Sequence, residues 1–490
     1  MFAIIAAVVV AARLCHSNVL WADDNLPLAA AMELARGKTL YRDVWFDKPP
    51  LVAWIALLWG ARAGVALRLA GAAYVLAAAA IAWKFARSKW SPREGLLAAF
   101  LVAFFLTFDL PSAVIPLASD MLLILPHLAA IYFAWRGRAF WSGAAAGIGL
   151  SCSSKAVFVL AACALWQWRS SPLFSAARTT QRRGSVTRMT EGAAARCALL
   201  LAGFLAPNAI ALGWMWLHGS AADYYRQVWQ WGSIYAANTF VANPLTEGAK
   251  RTADWLGFHA ALMMGAVVAI ARDRKWRSVM WIAIAFAGVI VGLRFFPRYY
   301  FLLLPPMTIT AARGWALLTN SRLALFARVA LIALLAIPFV RFAPGYVRLG
   351  RGGTSSDLAI DRDSQQAGEK LRSLAHFSPE TRSGDTLFVW GFRPDIFIYS
   401  RLPAGTRFLE SQPISGVLAD RHLFSSTAIA PDFVAPNRAE LIAGRPTWVV
   451  DGLGVYNPSL ALEKQSYLAS WLANYRQVDR TGFSILYRLR

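Results

Sequence analysis

The sequence predicts a polytopic α-helical membrane protein that carries a small C-terminal α/β domain on the extracytoplasmic side. Three observations lead there. The 490 residues are 57% hydrophobic and 16% charged, with a mean hydropathy of +0.44, well beyond the apolar share of a soluble domain. Apolar runs of membrane-spanning length recur through the first two thirds of the chain. The formal charge of +23 is unevenly placed: residues 1–340 hold 32 Lys+Arg against 13 Asp+Glu, and residues 341–490 hold 18 against 14. The basic excess therefore belongs to membrane loops, and nucleic acid is not an expected partner.

Hydropathy places about eleven spans, near residues 2–20, 65–83, 95–108, 119–135, 141–152, 155–168, 197–217, 257–271, 278–293, 299–312 and 323–340. Residues 1–20 resemble a signal peptide, but no small-residue cleavage site precedes the charged segment that follows, so an uncleaved first span is expected. The loops alternate in sign. Residues 84–94, 136–138, 169–196, 272–277 and 313–328 are strongly basic and are assigned to the cytoplasm, with 169–196 expected as a flexible loop. Acidic residues concentrate between them, at 23–47, 109–120 and 223–254, on the opposite side. The short runs 141–152 and 155–168, broken by "SCSSK", suggest a hairpin that does not fully cross. "KPPLVAWIALLWG" is too short to span and is expected along the outer interface, with Trp54 and Trp59 at headgroup depth. Cys15, Cys152, Cys163 and Cys197 all lie in or beside apolar runs, where they serve as small hydrophobes.

After Val340 the pattern changes. "GDTLFVWGF", "PTWVVDGLG" and "FSILYRLR" predict strands, and "QQAGEKLRSLAHF", "RAELIAG" and "SLALEKQSYLASWLANYRQ" predict helices. Two domains follow: residues 1–340 in the membrane, with a first external loop over 21–64, and an extracytoplasmic domain over 341–490.

That first loop, "WADDNLPLAAAMELARGKTLYRDVWFDKPP", carries the chemistry. Asp23 and Asp24 follow the first span at the membrane boundary, where ionisable groups are costly and mark function. A lone Asp there would more often be a helix cap or a solvated end. The acidic pair is accompanied by Lys48-Pro49-Pro50 at the next membrane entry. One carboxylate can accept a proton while an ammonium at headgroup depth holds a phosphate.

This loop resembles the first external loop of the dolichyl-phosphate-mannose protein mannosyltransferase-like family, GT-C glycosyltransferases that include lipid A aminoarabinose transferases. The resemblance extends to "SAVIPLASDMLLILPHLAAIYFAWRG", to "FFPRYYFLLLPP" and to "DTLFVWGFRPDIFIYSRLP" in the tail. It implies a GT-C-like fold, a polyprenyl-phosphate-linked sugar donor and inverting transfer outside the membrane. It also puts the family's acidic pair on Asp23 and Asp24 and its Lys-Pro lysine on Lys48. The family's usual second acid is Glu, so Asp24 is shortened here. Leu26 stands where aminoarabinose transferases carry an Arg.

The reaction so implied needs a base for the acceptor hydroxyl and cations for the leaving phosphate. Asp23 is expected to supply the first, and Lys48 with Arg298 the second. Asp120, Tyr299, Trp231 and Tyr235 are candidate cavity residues, with helix capping equally open for Asp120 and interface packing open for the aromatics. No cofactor is expected, because a polyprenyl phosphate is already an activated donor, although a divalent metal is not excluded. The acceptor is a lipid, a glycan or a protein. The expected location is a bacterial inner membrane, with the site and tail facing the periplasm or exterior. Two rivals stay open at this point: a lipid or solute transporter using Asp23, Asp120 and Lys48 as intramembrane charges, and a noncatalytic scaffold.

Overall fold

In the computed structural model, residues 2–109, 115–168, 185–239, 241, 243–274, 276–375 and 384–490 are described. Helices stand at all eleven expected positions, but they differ in length. Among the described residues, Val65–Lys89, Ala194–Leu217, Pro297–Thr319 and Ala324–Gly350 are long and apolar enough to cross a bilayer. Pro244–Phe258 and Ala260–Asp273, bent by 87°, add a fifth if they form one broken span. Phe2–Leu14, Ser119–Trp135, Ala139–Leu150, Ala156–Gln167 and Trp276–Ile290 are shorter. At 1.5 Å per residue, a 13-residue helix such as Phe2–Leu14 is roughly 20 Å long, less than a ~30 Å hydrocarbon core. Length and composition thus support four or five full crossings in an integral membrane protein.

Burial separates the inner helices from the outer ones. The apolar window of Pro297–Thr319 is 83% buried, whereas those of Ala194–Leu217 and Ala324–Gly350 are 22% buried. Leu205, Ile210 and Trp216 on the one helix, and Phe326, Val329 and Ile332 on the other, are therefore left exposed, which suits lipid. Close helix pairs form where side chains are absent. A Cβ on Gly143 or Gly147 would strike the backbone of Leu200 or Phe204 on the facing helix, and one on Gly314 would strike Gly265.

Three expectations change. The first span ends early: helix α1 covers Phe2–Leu14, and a second helix, α2, covers Ala22–Ala35. The start of the expected loop is thus a largely buried helix. Asp23 and Asp24 fall in its first turn, where the exposed N–H groups favour carboxylates. Of the basic loop 169–196, residues 169–184 lie outside the described residues, and the chain is helical from Ser185 because its Ala-rich run is strongly helix-forming. The helix expected around 459–477 is instead a series of 3₁₀ turns and one α-turn, Ala469–Leu472, followed by a strand.

The C-terminal sheet has strands β1 (Leu387–Trp390), β2 (Trp448–Asp451), β3 (Tyr475–Arg480) and β4 (Ile485–Leu489), in the order β1-β2-β4-β3. β1 and β2 pair in parallel and are fully buried, which is why both read as unbroken apolar runs. β3 is an edge strand paired to β4 only, and its "YRQVDR" sequence is polar enough to resemble a helix surface. Helices Ala359–Leu374 and Pro431–Ala443 complete the domain.

This domain grips the first external segment. Arg36 donates to Arg401 O at 2.7 Å, Lys38 Nζ to Ala404 O at 2.7 Å and Trp45 N–H to Arg407 O at 2.7 Å. Glu33 completes the clasp by accepting from Ala404 N–H at 3.2 Å. The sheet domain is therefore docked over the segment that carries the acidic pair and Lys48.

Candidate active site

α2 presents its two acids to different surroundings. Asp24 is buried: its Oδ2 accepts from Arg68 Nη1 at 2.9 Å, and its Oδ1 accepts from Leu117 N–H at 2.8 Å. Arg68 is equally enclosed and also donates to His16 O at 3.1 Å and Val19 O at 2.7 Å. Asp24 thus has no free face toward a substrate. Asp23 is the reachable acid, with its side chain 26% exposed and paired to Arg298, which is 31% exposed.

Lys48 reaches the site through a chain of backbone constraints. Tyr41 Oη donates to Lys48 O at 2.8 Å, and Gln227 clamps the loop by accepting from Phe46 N–H and donating to Tyr41 O, each at 2.8 Å. Just past Pro49 and Pro50, Leu51 N–H donates to Ser151 O at 3.0 Å, which docks the segment on the break between the two short helices. That break also delivers Lys155. Lys155 Nζ lies 2.9 Å from Asp120 Oδ1 and 3.1 Å from the centre of the Tyr299 ring.

Lys48 Nζ itself pairs with Asp47 Oδ2 at 3.1 Å, and its side chain stays 43% exposed. Desolvation works to lower its pKa, but Asp47, Tyr299 and Asp120 outweigh it and hold the ammonium above its ordinary value. Glu410, from the C-terminal domain, adds a buried carboxyl. Burial first, and Asp47 second, push it well above the usual carboxylate range, although Lys48 opposes the shift.

Of the residues expected from sequence, Asp23 pairs with Arg298, Asp120 pairs with the Lys155 that lies over Tyr299, and Tyr299 feels the charges of Lys48, Asp120 and Arg298, so the group is joined through Tyr299. Tyr235 stands at its border, under the Arg294 guanidinium at 3.7 Å and with its hydroxyl 3.4 Å from Asp420. Trp231 is fully buried and stacked on Phe433 with ring centres 5.4 Å apart, which packs the helix Trp231–Ala237 against the C-terminal domain. Sequence reasoning missed Lys155, Glu410 and the Arg68 partner. Lys155 did leave a signal, as an ionisable residue inside the break of two apolar runs. Among the described residues, no group of three or more His, Cys, Asp or Glu side chains is placed to hold a metal ion.

The whole chain can be laid on a solved membrane enzyme. ArnT from Cupriavidus metallidurans bound to undecaprenyl phosphate aligns over 99% of this chain and 97% of its own, with a TM-score of 0.61 and 15% identity. The chain has the GT-C fold. The apo state of the same ArnT aligns over 99% of this chain and 96% of its own, with a TM-score of 0.58 and 14% identity. The archaeal oligosaccharyltransferase AglB from Archaeoglobus fulgidus, in complex with an inhibitory peptide and a dolichol-phosphate, covers 94% of this chain and 70% of its own, with a TM-score of 0.46 and 12% identity. Sequence comparison finds no matching protein family and no matching curated protein.

Proposed function

We propose that this GT-C protein is an inverting glycosyltransferase that moves a hexose or pentose from a polyprenyl-phosphate-linked donor to an acceptor on the extracytoplasmic side of the membrane, in bacteria the periplasmic face of the inner membrane. The observation that carries the reading is a reachable carboxylate, Asp23, paired with Arg298, whose chain neighbour Tyr299 lies under Lys155 and within electrostatic reach of Lys48. The solved ArnT of the same fold is bound to undecaprenyl phosphate, which supports a lipid phosphate as the donor's leaving group.

In this reading Lys48, Lys155 and Arg298 receive the donor phosphate, and its arrival draws Arg298 away from Asp23. The freed carboxylate takes the proton of the acceptor hydroxyl. The oxygen then attacks the anomeric carbon, and the bond to the phosphate oxygen breaks with its electron pair going to the phosphate. Attack opposite the leaving group inverts the centre. Asp120 and Asp47 position the two lysines, and Asp24 anchors α2 through Arg68 without touching substrate. The division into residues 1–340 and 341–490, and the eleven-segment topology, belong to the same proposal.

The test combines the purified protein with a panel of polyprenyl-phosphate sugars and follows release of polyprenyl phosphate. Release by the wild type and its loss in Asp23→Asn supports the assignment. A scaffold or a transporter releases none.

A further inference from the structure

A cavity of about 280 Å³ lies between the start of α2 and the C-terminal domain, apart from the Lys48 cluster. It is at the small end of ligand sites, which begin near ~300 Å³. Ala22 and Asn25 form its α2 wall. Residues 22 and 25 share a helix face, whereas residue 23 is turned roughly 100° from it. Asp23 does not line the cavity, so the cavity is not the reaction centre.

Its walls hold several polar atoms without partners. Asp395 Oδ1, His422 Nδ1, Tyr456 Oη and Trp21 Nε1 are all buried and make no hydrogen bond among the described residues. Asp395 and His422 are only 4% and 3% exposed as whole residues. Buried polar groups are rarely left open, and four around one cavity point to an absent partner. Their chemistry is mixed. His422 Nε2 lies 2.9 Å from Val417 O, an acceptor, so Nε2 carries the proton and Nδ1 can only accept. Burial lowers the His422 pKa to about 4, which keeps that ring neutral. Trp21 donates, Tyr456 does both, and Asp395 Oδ1 is a carboxyl oxygen.

Anions are disfavoured here. Arg393, the one cation among the described residues that line the cavity, has every nitrogen engaged: Nε with Ser364, Nη1 with Asp363 and Ser484, Nη2 with Ile360 O and Ser364. Asp357 would also repel a phosphate. What matches a cavity with aromatic walls at Trp21, Phe392 and Tyr456 and scattered single donors and acceptors is a hydroxylated ring. Each hydroxyl both donates and accepts, while its C–H face packs on aromatics.

We propose that this cavity binds one uncharged sugar ring, a non-reacting unit of a glycan acceptor held one helix face away from Asp23. The sugar binding stands on the cavity alone, and its attribution to the acceptor rests on the transferase reading. The experiment uses the full chain in lipid nanodiscs and saturation-transfer NMR with methyl α-glucoside, methyl β-galactoside and methyl N-acetyl-β-glucosaminide. At least one glycoside should receive saturation, and Tyr456→Phe and Trp21→Phe should each weaken its binding on the order of threefold to tenfold. Both variants should unfold no earlier than wild type, because each removes a polar atom that lacks a partner. Lys48→Ala should bind the glycoside as wild type does. No saturation of any glycoside, or equal saturation in both aromatic variants, overturns the site and leaves ordered water as its occupant. Competition by a polyprenyl-phosphate sugar, retained in Lys48→Ala, would assign the ring to the donor and overturn the acceptor attribution. Glycoside binding without transfer from any donor would sink the transferase reading and leave the cavity's assignment intact, whereas transfer without glycoside binding would do the reverse.

Discussion

Asp23 and Asp24 are neighbours in sequence and yet have opposite surroundings, because successive helix residues point about 100° apart. The same substitution at the two positions should therefore have different consequences. Asp23→Asn keeps size and hydrogen bonding but removes the proton acceptor, so turnover should fall by two or more orders of magnitude while donor binding and the unfolding midpoint hold. Asp24→Asn strands Arg68, whose side chain is 1% exposed. Breaking such a buried pair costs about 3–5 kcal/mol, which thermal unfolding in detergent should register as a lower midpoint. Lys48→Ala should raise the donor concentration needed for half-maximal rate with the protein still inserted, and an unchanged donor dependence would remove Lys48 from the site. Asp361 supplies a pH signature. Burial first, and Asp395 second, raise its pKa from 3.8 to about 7. The folded protein then binds more protons than the unfolded chain between those values. The stability this proton contributes is complete below pH ~4, declines as pH rises and is gone above pH ~7, a change on the order of a few kcal/mol. Asp361→Asn should flatten the unfolding midpoint over that range, and an unaltered slope would assign it to another group.

At the scale of elements, the sequence's legibility follows the range of the interactions involved. The apolar runs, the buried parallel strands β1 and β2 and the Lys48-Pro49-Pro50 entry are local patterns, and each was visible without a partner. The placement of Lys155 was not, because it depends on Leu51 N–H meeting Ser151 O about a hundred residues away. The burial of Asp24 likewise needs Arg68 from the helix Val65–Lys89. β3 was misread because an edge strand shows a polar face whose period only the pairing with β4 makes plain. The glycine contact of Ala139–Leu150 with Ser185–Leu217 links packing to the site, since Ser151 is the residue that ends the first of these helices. Gly143→Val should force the two backbones apart. Overpacking of this kind costs about 1–3 kcal/mol, and the displaced Ser151 carbonyl should loosen the Lys48 segment. The expected readout is a lower unfolding midpoint together with a weaker donor dependence. A lower midpoint with unchanged donor dependence would show that the docking at Ser151 does not position Lys48.

For the whole molecule, the clasp between the first external segment and the sheet domain makes a topological demand. Arg36, Lys38 and Trp45 bond to the backbone of Arg401, Ala404 and Arg407, so residues 36–45 and the C-terminal domain must lie on one side of the membrane. The charge of the remaining loops decides which side. Arg136, Arg138, Arg272, Arg274, Lys275, Arg277 and Arg322 sit between or at the ends of apolar segments with few compensating acids, and loops of this kind favour the cytoplasm. We propose on this ground that the clasp and the Lys48 cluster are extracytoplasmic. Single cysteines at three exposed positions test this, in a chain whose own four cysteines are replaced by alanine. Ala35→Cys, in the last turn of α2, and Glu463→Cys, in the outer domain, should react with a membrane-impermeant maleimide in intact cells. Arg322→Cys, beyond the end of Pro297–Thr319, should react only after permeabilisation. Labelling of Arg322→Cys alone in intact cells would reverse the orientation and with it the proposed side of transfer, and labelling of all three would refute the cytoplasmic placement of Arg322. Labelling that separates Ala35→Cys from Glu463→Cys would break the clasp itself, because no single membrane could lie between residues whose segments are hydrogen-bonded together.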